Sequence, residues 1–285
     1  PCPSPRAPRP RWPPGSRSRP APAAEAARAA RLRRVKLLAL DFDGVVSDSA
    51  REAFVVARRT YTDLRPSSPL RDADEEPLWR VFLALMPLGN RAEDYAAALA
   101  AIDAGVADEL ADQAAYDAWR DAQDAGWLRA FHRRFYEVRA ALSEADRDAW
   151  LAMLGPYPRL LEILRRRAGS CAYAIASAKD RRSVGILLEH YGVAELFAPE
   201  LVVDKEAGVT KDAHLAHLAR RCGLDYAEIT FVDDKVNHLD AVAPLGVRCA
   251  LAAWGYNGPR EHRLARAHGH LLCTLDDFEA QLFGK

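Results

Sequence analysis

Short apolar runs recur along the chain and stop at polar or acidic residues. Val35-Lys36-Leu37-Leu38-Ala39-Leu40 meets Asp41. Similar runs follow much later, at 172–176, 200–203, 229–232 and 247–252, with a weaker one at 270–273. Runs this short and this apolar predict strands buried on both faces, as in a parallel sheet. Helical periodicity lies between them. Val184, Leu187, Leu188 and Tyr191 share one face before Gly192, and Leu215, Leu218 and Cys222 share another before Gly223. Alternation of this kind predicts an α/β fold: a parallel sheet with helices on both faces.

Residues 51–155 break the rhythm and contain no convincing strand. Tyr95, Leu99 and Ile102 recur at helical spacing before Gly105. Leu128, Phe131, Phe135, Val138 and Leu142 recur at steps of three and four. Ser143, with Asp146 three residues on, reads as the cap of a further helix closed by Gly155-Pro156. The expected organisation is an α/β core from 35–50 and 156–285, with an all-helical cap of Ala-rich amphipathic helices inserted at 51–155. No internal repeat is visible.

Residues 1–34 differ from the rest. Pro and Arg dominate, and Glu25 is the only acid, so the segment reads as disordered. An Arg-rich, acid-poor start also fits an organellar transit peptide. The chain begins with Pro rather than Met, so a mis-assigned or upstream start fits equally.

Composition narrows the function classes. The 40 Lys and Arg balance the 40 Asp and Glu, which gives no footprint for nucleic acid or an anionic membrane. No apolar run approaches the roughly 18–20 residues of a membrane helix. Cys2, Cys171, Cys222, Cys249 and Cys273 contain no C-x-x-C pair, and all but Cys2 sit in apolar periodic segments. They read as reduced thiols, as in the cytoplasm.

Ligands of open α/β sheets bind at the carboxyl ends of the strands. The first predicted strand ends on Asp41 and Asp43, the second on Ser177, and the fourth on Asp233 and Asp234; Lys211 opens the helix before the fourth. Clustered carboxylates repel unless a cation joins them, and Mg²⁺ takes oxygen ligands together with a substrate phosphate. A carboxylate can attack phosphorus. Gly44 would let the chain turn and bring Asp43 over the site, where it could protonate a leaving alcohol and later activate water. Ser177 and Lys211 would steady the phosphoryl oxygens.

These residues resemble the four motifs of the haloacid dehalogenase-like hydrolase superfamily. Asp41-Phe42-Asp43-Gly44-Val45-Val46-Ser47-Asp48-Ser49 is similar to the first, Ala174-Ile175-Ala176-Ser177 to the second, Lys211 to the third and Phe231-Val232-Asp233-Asp234 to the fourth. The resemblance implies a Rossmann-like core with Asp41 as nucleophile and Mg²⁺ ligand. It implies Asp43 as acid/base, with its carbonyl on the metal, and Asp234, with Asp233, completing the metal site. An acid at position 43 points to phosphatases and sugar phosphomutases rather than dehalogenases or cation pumps.

The fourth motif departs from its commonest form, since Asp233 stands where Gly is usual and His238 where a later Asp is usual. Lys205 is a rival to Lys211, whose spacing is better. The expected activity is Mg²⁺-dependent hydrolysis of a small phosphorylated metabolite by a monomer or homodimer, in the manner of phosphoglycolate phosphatase-like members. A sugar phosphomutase and a non-catalytic phosphometabolite-binding protein are the alternatives. Asp48 reads as a cap or hinge residue, Asn237 and His238 as helix-start residues, Arg58 and Arg59 as a solvated face, and Trp254 as core packing or pocket edge. His214, His217, His262, His268 and His270 show no metal-ligand spacing and read as surface or helix residues.

Overall fold

A computed structural model describes residues 35–284 apart from Asn90 and Val209, and leaves the Lys205 side chain undescribed. The expectation of disorder over 1–34 lies outside the described residues. Six parallel strands form the main sheet: β1 (Leu37–Leu40), β4 (Ala172–Ala176), β5 (Phe197–Val203), β6 (Ile229–Asp233), β7 (Arg248–Ala252) and β8 (Leu271–Cys273). Their order is β5-β4-β1-β6-β7-β8, with Leu37 beside both Ala172 and Ile229. The chain builds outward from β1 to β5, returns to the other side of β1, and builds outward again. The order in which strands are added therefore reverses between β1 and β6, the place where open parallel sheets bind ligands.

The apolar runs are continuous because both sheet faces are covered. Leu38, Leu40, Tyr173, Ile175 and Val232 enter one buried cluster, whereas Leu37, Ala39, Ala174, Ala176 and Phe231 enter the other. That is the two-residue alternation of a strand with no solvent face. Helices α7 (Pro158–Arg166), α8 (Arg181–His190), α9 (Lys211–Cys222), α10 (Val236–Val242), α11 (Pro259–Ala267) and α12 (Phe278–Phe283) complete the core domain. Of the four described cysteines, Cys249 and Cys273 are buried, Cys171 and Cys222 half-buried.

The cap is helical as the periodicity predicts. It comprises α1 (Ala50–Leu64), α2 (Glu75–Leu85), α3 (Ala92–Ala104), α4 (Gln113–Asp121), α5 (Ala125–Ala145) and α6 (Arg147–Leu151). Phe54, Tyr61, Phe82, Phe131 and Phe135 fill its own core. Two details differ from the sequence reading. Helix α3 is not simply amphipathic: Ala92 and the run from Asp94 to Ala101 are buried, and its alanines let α1 and α5 pack closely on either side. Ser143 does not cap a helix. It lies within α5, where its hydroxyl donates to the Ala140 carbonyl at 2.9 Å, and Asp146 caps α6 by accepting from the Ala149 N–H at 2.9 Å.

Cap and core are joined at two neighbouring crossings. Ser47–Asp48 (β2) leaves the core and pairs antiparallel with Gly155–Pro156 (β3), which returns to it. Gly155-Pro156 is thus a hinge strand rather than a helix stop. Asp48 belongs to the same hinge: its Oδ1 accepts from the Ala50 N–H at 3.3 Å and from the Tyr256 hydroxyl at 3.1 Å. Arg58 is not part of a solvated face, since its guanidinium donates to the carbonyls of Leu70 and Ala73. Arg59 is exposed, as expected.

A buried ion pair ties the cap together. Arg139 of α5 donates through Nε and Nη2 to the two Glu52 oxygens at 2.6 and 2.7 Å, and the Trp150 indole donates to Glu52 Oε1 at 3.3 Å. The guanidinium also lies 4.6 Å from the Phe135 ring centre. Removing one partner strands a buried charge, which typically costs about 3–5 kcal/mol. We therefore expect Glu52→Gln and Arg139→Met each to lower stability in chemical denaturation by that order, and the double variant to lose less than the sum. Burial would raise the Glu52 carboxyl, but Arg139 outweighs it and holds the group below its usual value of 4.5. The contribution is therefore complete above that pH and is lost as pH falls through the depressed folded value. Acid titration of stability should be shallower in the double variant than in the wild type; equal slopes would contradict the assignment.

Candidate active site

Strand order brings the acids together. Asp41 follows β1, Asp233 ends β6, and Ser177 follows β4, so three adjacent strands deliver three side chains to the reversal point. The first crossing begins with a tight turn in which the Phe42 carbonyl accepts from the N–H groups of Val45, Val46 and Ser47. Gly44 takes φ +80° there, a conformation costly to any residue with a Cβ, and a Cβ at this place would lie 2.5 Å from Asp234 Oδ2. The turn directs Asp43 back over the strand ends, as the sequence predicts.

Lys211 is the central cation. The first residue of α9 sends its Nζ to the Ala176 carbonyl at 2.9 Å, to Asp41 Oδ1 at 2.9 Å and to Asp233 Oδ2 at 3.2 Å. Asp41 Oδ1 also accepts from the Phe42 N–H at 2.7 Å. Burial, reinforced by Asp233, outweighs Lys211 and pushes the Asp41 carboxyl above the usual carboxylate range. Burial alone would raise Asp233 too, but Lys211 and His238 hold it well below that range. Lys211 itself is discouraged by burial yet held charged by Asp233 and Asp41.

Asp43 has a cation of its own that the sequence reading missed. Lys179 is buried and its Nζ lies 3.0 Å from Asp43 Oδ1. Burial raises the Asp43 carboxyl, but Lys179, the Ser49 hydroxyl and Arg139 together bring it below its usual value. The available signal was a lysine two residues beyond Ser177 at the same strand end. Ser177 does not cap the following helix, since Asp180 accepts from the Ser183 N–H in that role. Ser177 is buried, and its Oγ accepts from the Lys179 N–H at 3.3 Å.

The paired aspartates diverge. Asp233, Asp41 and His238 bring one donor atom each within 4.8 Å of the others, and His238 Nδ1 lies 3.1 Å from both Asp233 oxygens. Asp234 faces the cap-proximal turn instead. Its Oδ2 accepts from the Tyr256 N–H at 2.8 Å, while its Oδ1 is buried with no hydrogen-bond partner. Burial, with Asp233 and Asp41 nearby, pushes its carboxyl up to about 7. Lys235, also missed, is buried 3.8 Å from Asp234 Oδ2 and donates to the carbonyls of Tyr256 in the core and Met86 in the cap. Trp254 is a packing residue, edge-on to Phe278 at 5.5 Å and donating to the Val45 carbonyl. His214 is a buried residue of α9, whereas His270 is buried outside any helix, against the expectation.

A cavity of about 430 Å³ opens over these groups. Asp41, Asp43, Ser177 and Lys211 form its core wall, and Tyr95 and Arg139 belong to its cap wall. Such a volume suits a small molecule.

No curated protein matches the chain. By fold it is similar to a predicted phosphatase from Clostridium acetobutylicum (11% identity, TM-score 0.61, covering 87% of this chain and 98% of that one). It is also similar to a predicted phosphoglycolate phosphatase from Haemophilus somnus 129pt (18% identity, TM-score 0.60, covering 86% and 97%). At such identities the likeness concerns the fold. The family model for haloacid dehalogenase-like hydrolases matches residues 35–246, a span that holds the cap and every carboxylate described above. The chain therefore belongs to the haloacid dehalogenase-like hydrolases.

Proposed function

We propose that this hydrolase is a Mg²⁺-dependent phosphatase that cleaves a small phosphorylated metabolite through an aspartyl-phosphate on Asp41. The observation that carries the reading is Lys211, which spans Asp41 and Asp233 directly beneath the turn that presents Asp43. Phosphatase neighbours of the same fold agree with it.

The donor set fits a hard divalent cation. Four buried or half-buried carboxylates, Asp41, Asp43, Asp233 and Asp234, face three lysines, Lys179, Lys211 and Lys235. One negative charge is left over, and a phosphomonoester dianion would add two more. Burial disfavours the charged forms of Asp41 and Asp234, and Asp234 Oδ1 has no hydrogen-bond partner, so the site has use for a further positive partner. Asp41, the Asp43 carbonyl and Asp233 would hold Mg²⁺, with Asp234 supporting them from behind. Bound there, Mg²⁺ would screen the charge between carboxylate and phosphate.

The protein groups divide the rest of the work. Lys211 and the Phe42 N–H both engage Asp41 Oδ1, so the other oxygen attacks phosphorus while the bond to the leaving oxygen breaks. Asp43 gives that oxygen a proton. It rests ionised against Lys179, and the incoming dianion raises its affinity for the proton it must carry, which it takes from solvent as substrate binds. The resulting Asp43 carboxylate then takes a proton from water, whose oxygen displaces Asp41 from phosphorus and releases phosphate. Ser177 and Lys211 bind the phosphoryl oxygens as charge shifts among them.

A panel of phosphorylated metabolites with Mg²⁺, read as released phosphate, tests this. Asp41→Asn should abolish turnover, and full activity in that variant would sink the nucleophile assignment. Asp43→Asn should lower kcat by about 10²–10⁴-fold with little change in substrate binding. Stripping divalent cations with a chelator should stop phosphate release, and added Mg²⁺ should restore it; activity indifferent to both would remove the metal from the reading.

A further inference from the structure

The outer side of α10 carries a second convergence of ligand-type side chains. Asp240 stands two residues beyond His238, about 200° round the helix, and so faces away from the active site. Two histidines meet it from the segment joining α11 to β8. His268 Nδ1 lies 2.9 and 3.0 Å from the Asp240 oxygens, and His270 Nε2 lies 2.7 Å from Oδ1. One donor atom from each of the three residues falls within 4.8 Å of the others.

The backbone holds this arrangement firmly. The N–H groups of His268, Gly269 and His270 donate to the carbonyls of Leu264, Arg266 and Ala265 at 2.9, 3.2 and 2.8 Å. Those bonds use three of the carbonyls in the last turn of α11. Gly269 takes φ +81°, which turns the chain so that the residues on either side both reach Asp240. The His270 side chain is only 4% exposed, while Asp240 and His268 are 40% and 43% exposed. One ligand is thus anchored, and two border solvent, where an ion can enter.

We propose that Asp240, His268 and His270 form a second metal site, for a borderline-soft divalent ion such as Zn²⁺. Two imidazoles and one carboxylate, with water in the fourth position, suit Zn²⁺ and its neighbours better than Mg²⁺, which prefers oxygen. Zn–N and Zn–O bonds of about 2.0–2.1 Å place neighbouring donors about 3.3 Å apart in a tetrahedron. The two His–Asp240 separations of 2.7 and 2.9 Å need widen by only about half an ångström, and the two imidazole donors lie within 4.8 Å of each other, adjustments that the two half-exposed side chains allow. The ion would pin α10 to the end of α11 and the start of β8, a structural role independent of the chemistry at Asp41.

Zn²⁺ titration of the full chain by calorimetry, with Mg²⁺ in large excess to occupy the carboxylate site, tests this. The wild type should bind one Zn²⁺ that Mg²⁺ does not displace, and Zn²⁺ should raise its unfolding temperature. His268→Ala should weaken that binding more than about 100-fold, beyond the 10–100-fold typical of losing an outer-shell partner. The same variant should keep its Mg²⁺-dependent activity. Co²⁺ bound to the wild type should give the visible absorption of a four-coordinate ion, absent from His268→Ala. Equal Zn²⁺ uptake by the two proteins overturns the proposal, as does uptake that Mg²⁺ abolishes. His270→Gln should behave like His268→Ala; should it fail to fold, the half-exposed His268 position decides alone.

Discussion

Carboxylates crowded at the ends of β1 and β6 repel one another in a place that water barely reaches, and much of the surrounding structure follows from how that repulsion is answered. Three lysines arrive from different parts of the chain. Lys211 starts a helix, Lys179 sits just past a strand, and Lys235 follows the aspartate pair itself. Each is buried, and each would be costly without its acid. Each lysine therefore faces an acid, and the strand order is what lets them meet.

The cap is coupled to this cluster at several points. Tyr256 donates its backbone N–H to Asp234, while its hydroxyl accepts from the Ser49 N–H at the start of α1. Lys235 reaches both Asp234 and the Met86 carbonyl. Arg139, locked to Glu52, forms part of the same cavity wall. The carboxylate cluster therefore shares hydrogen-bond and ion-pair partners with residues that join cap and core.

Much of this was legible in the sequence because it depends on local pattern. The run from Val35 to Leu40 reads as a doubly buried strand, realised over Leu37–Leu40, and Asp41 stands at its carboxyl end. Gly44 announced the turn. Ser177, Lys211 and Asp233 lie where strand and helix ends put them. What escaped depends on contacts between distant residues or on elements too short for a period. Ser47–Asp48 and Gly155–Pro156 have two residues each and no alternation to detect. Glu52 and Arg139 lie on different helices, and nothing local says that they meet. Ser143 and Asp146 both look like caps, and the choice between them fell to how far α5 could continue. Lys179 is one basic residue among many until the fold turns it toward Asp43.

The hinge ribbon also has a bearing on how the molecule forms. Leu37 pairs with Ala172, and the entire cap lies between them in sequence. The central pair of strands therefore waits on a very long loop, whose ends an unstructured cap would bring together slowly. A cap that collapses first on its own aromatic core shortens that loop to the distance between two adjacent crossings. The antiparallel contact of Ser47–Asp48 with Gly155–Pro156 then delivers β1 and the chain leading into β4 side by side. A cap that formed early would thus act as a clamp that makes the parallel sheet reachable.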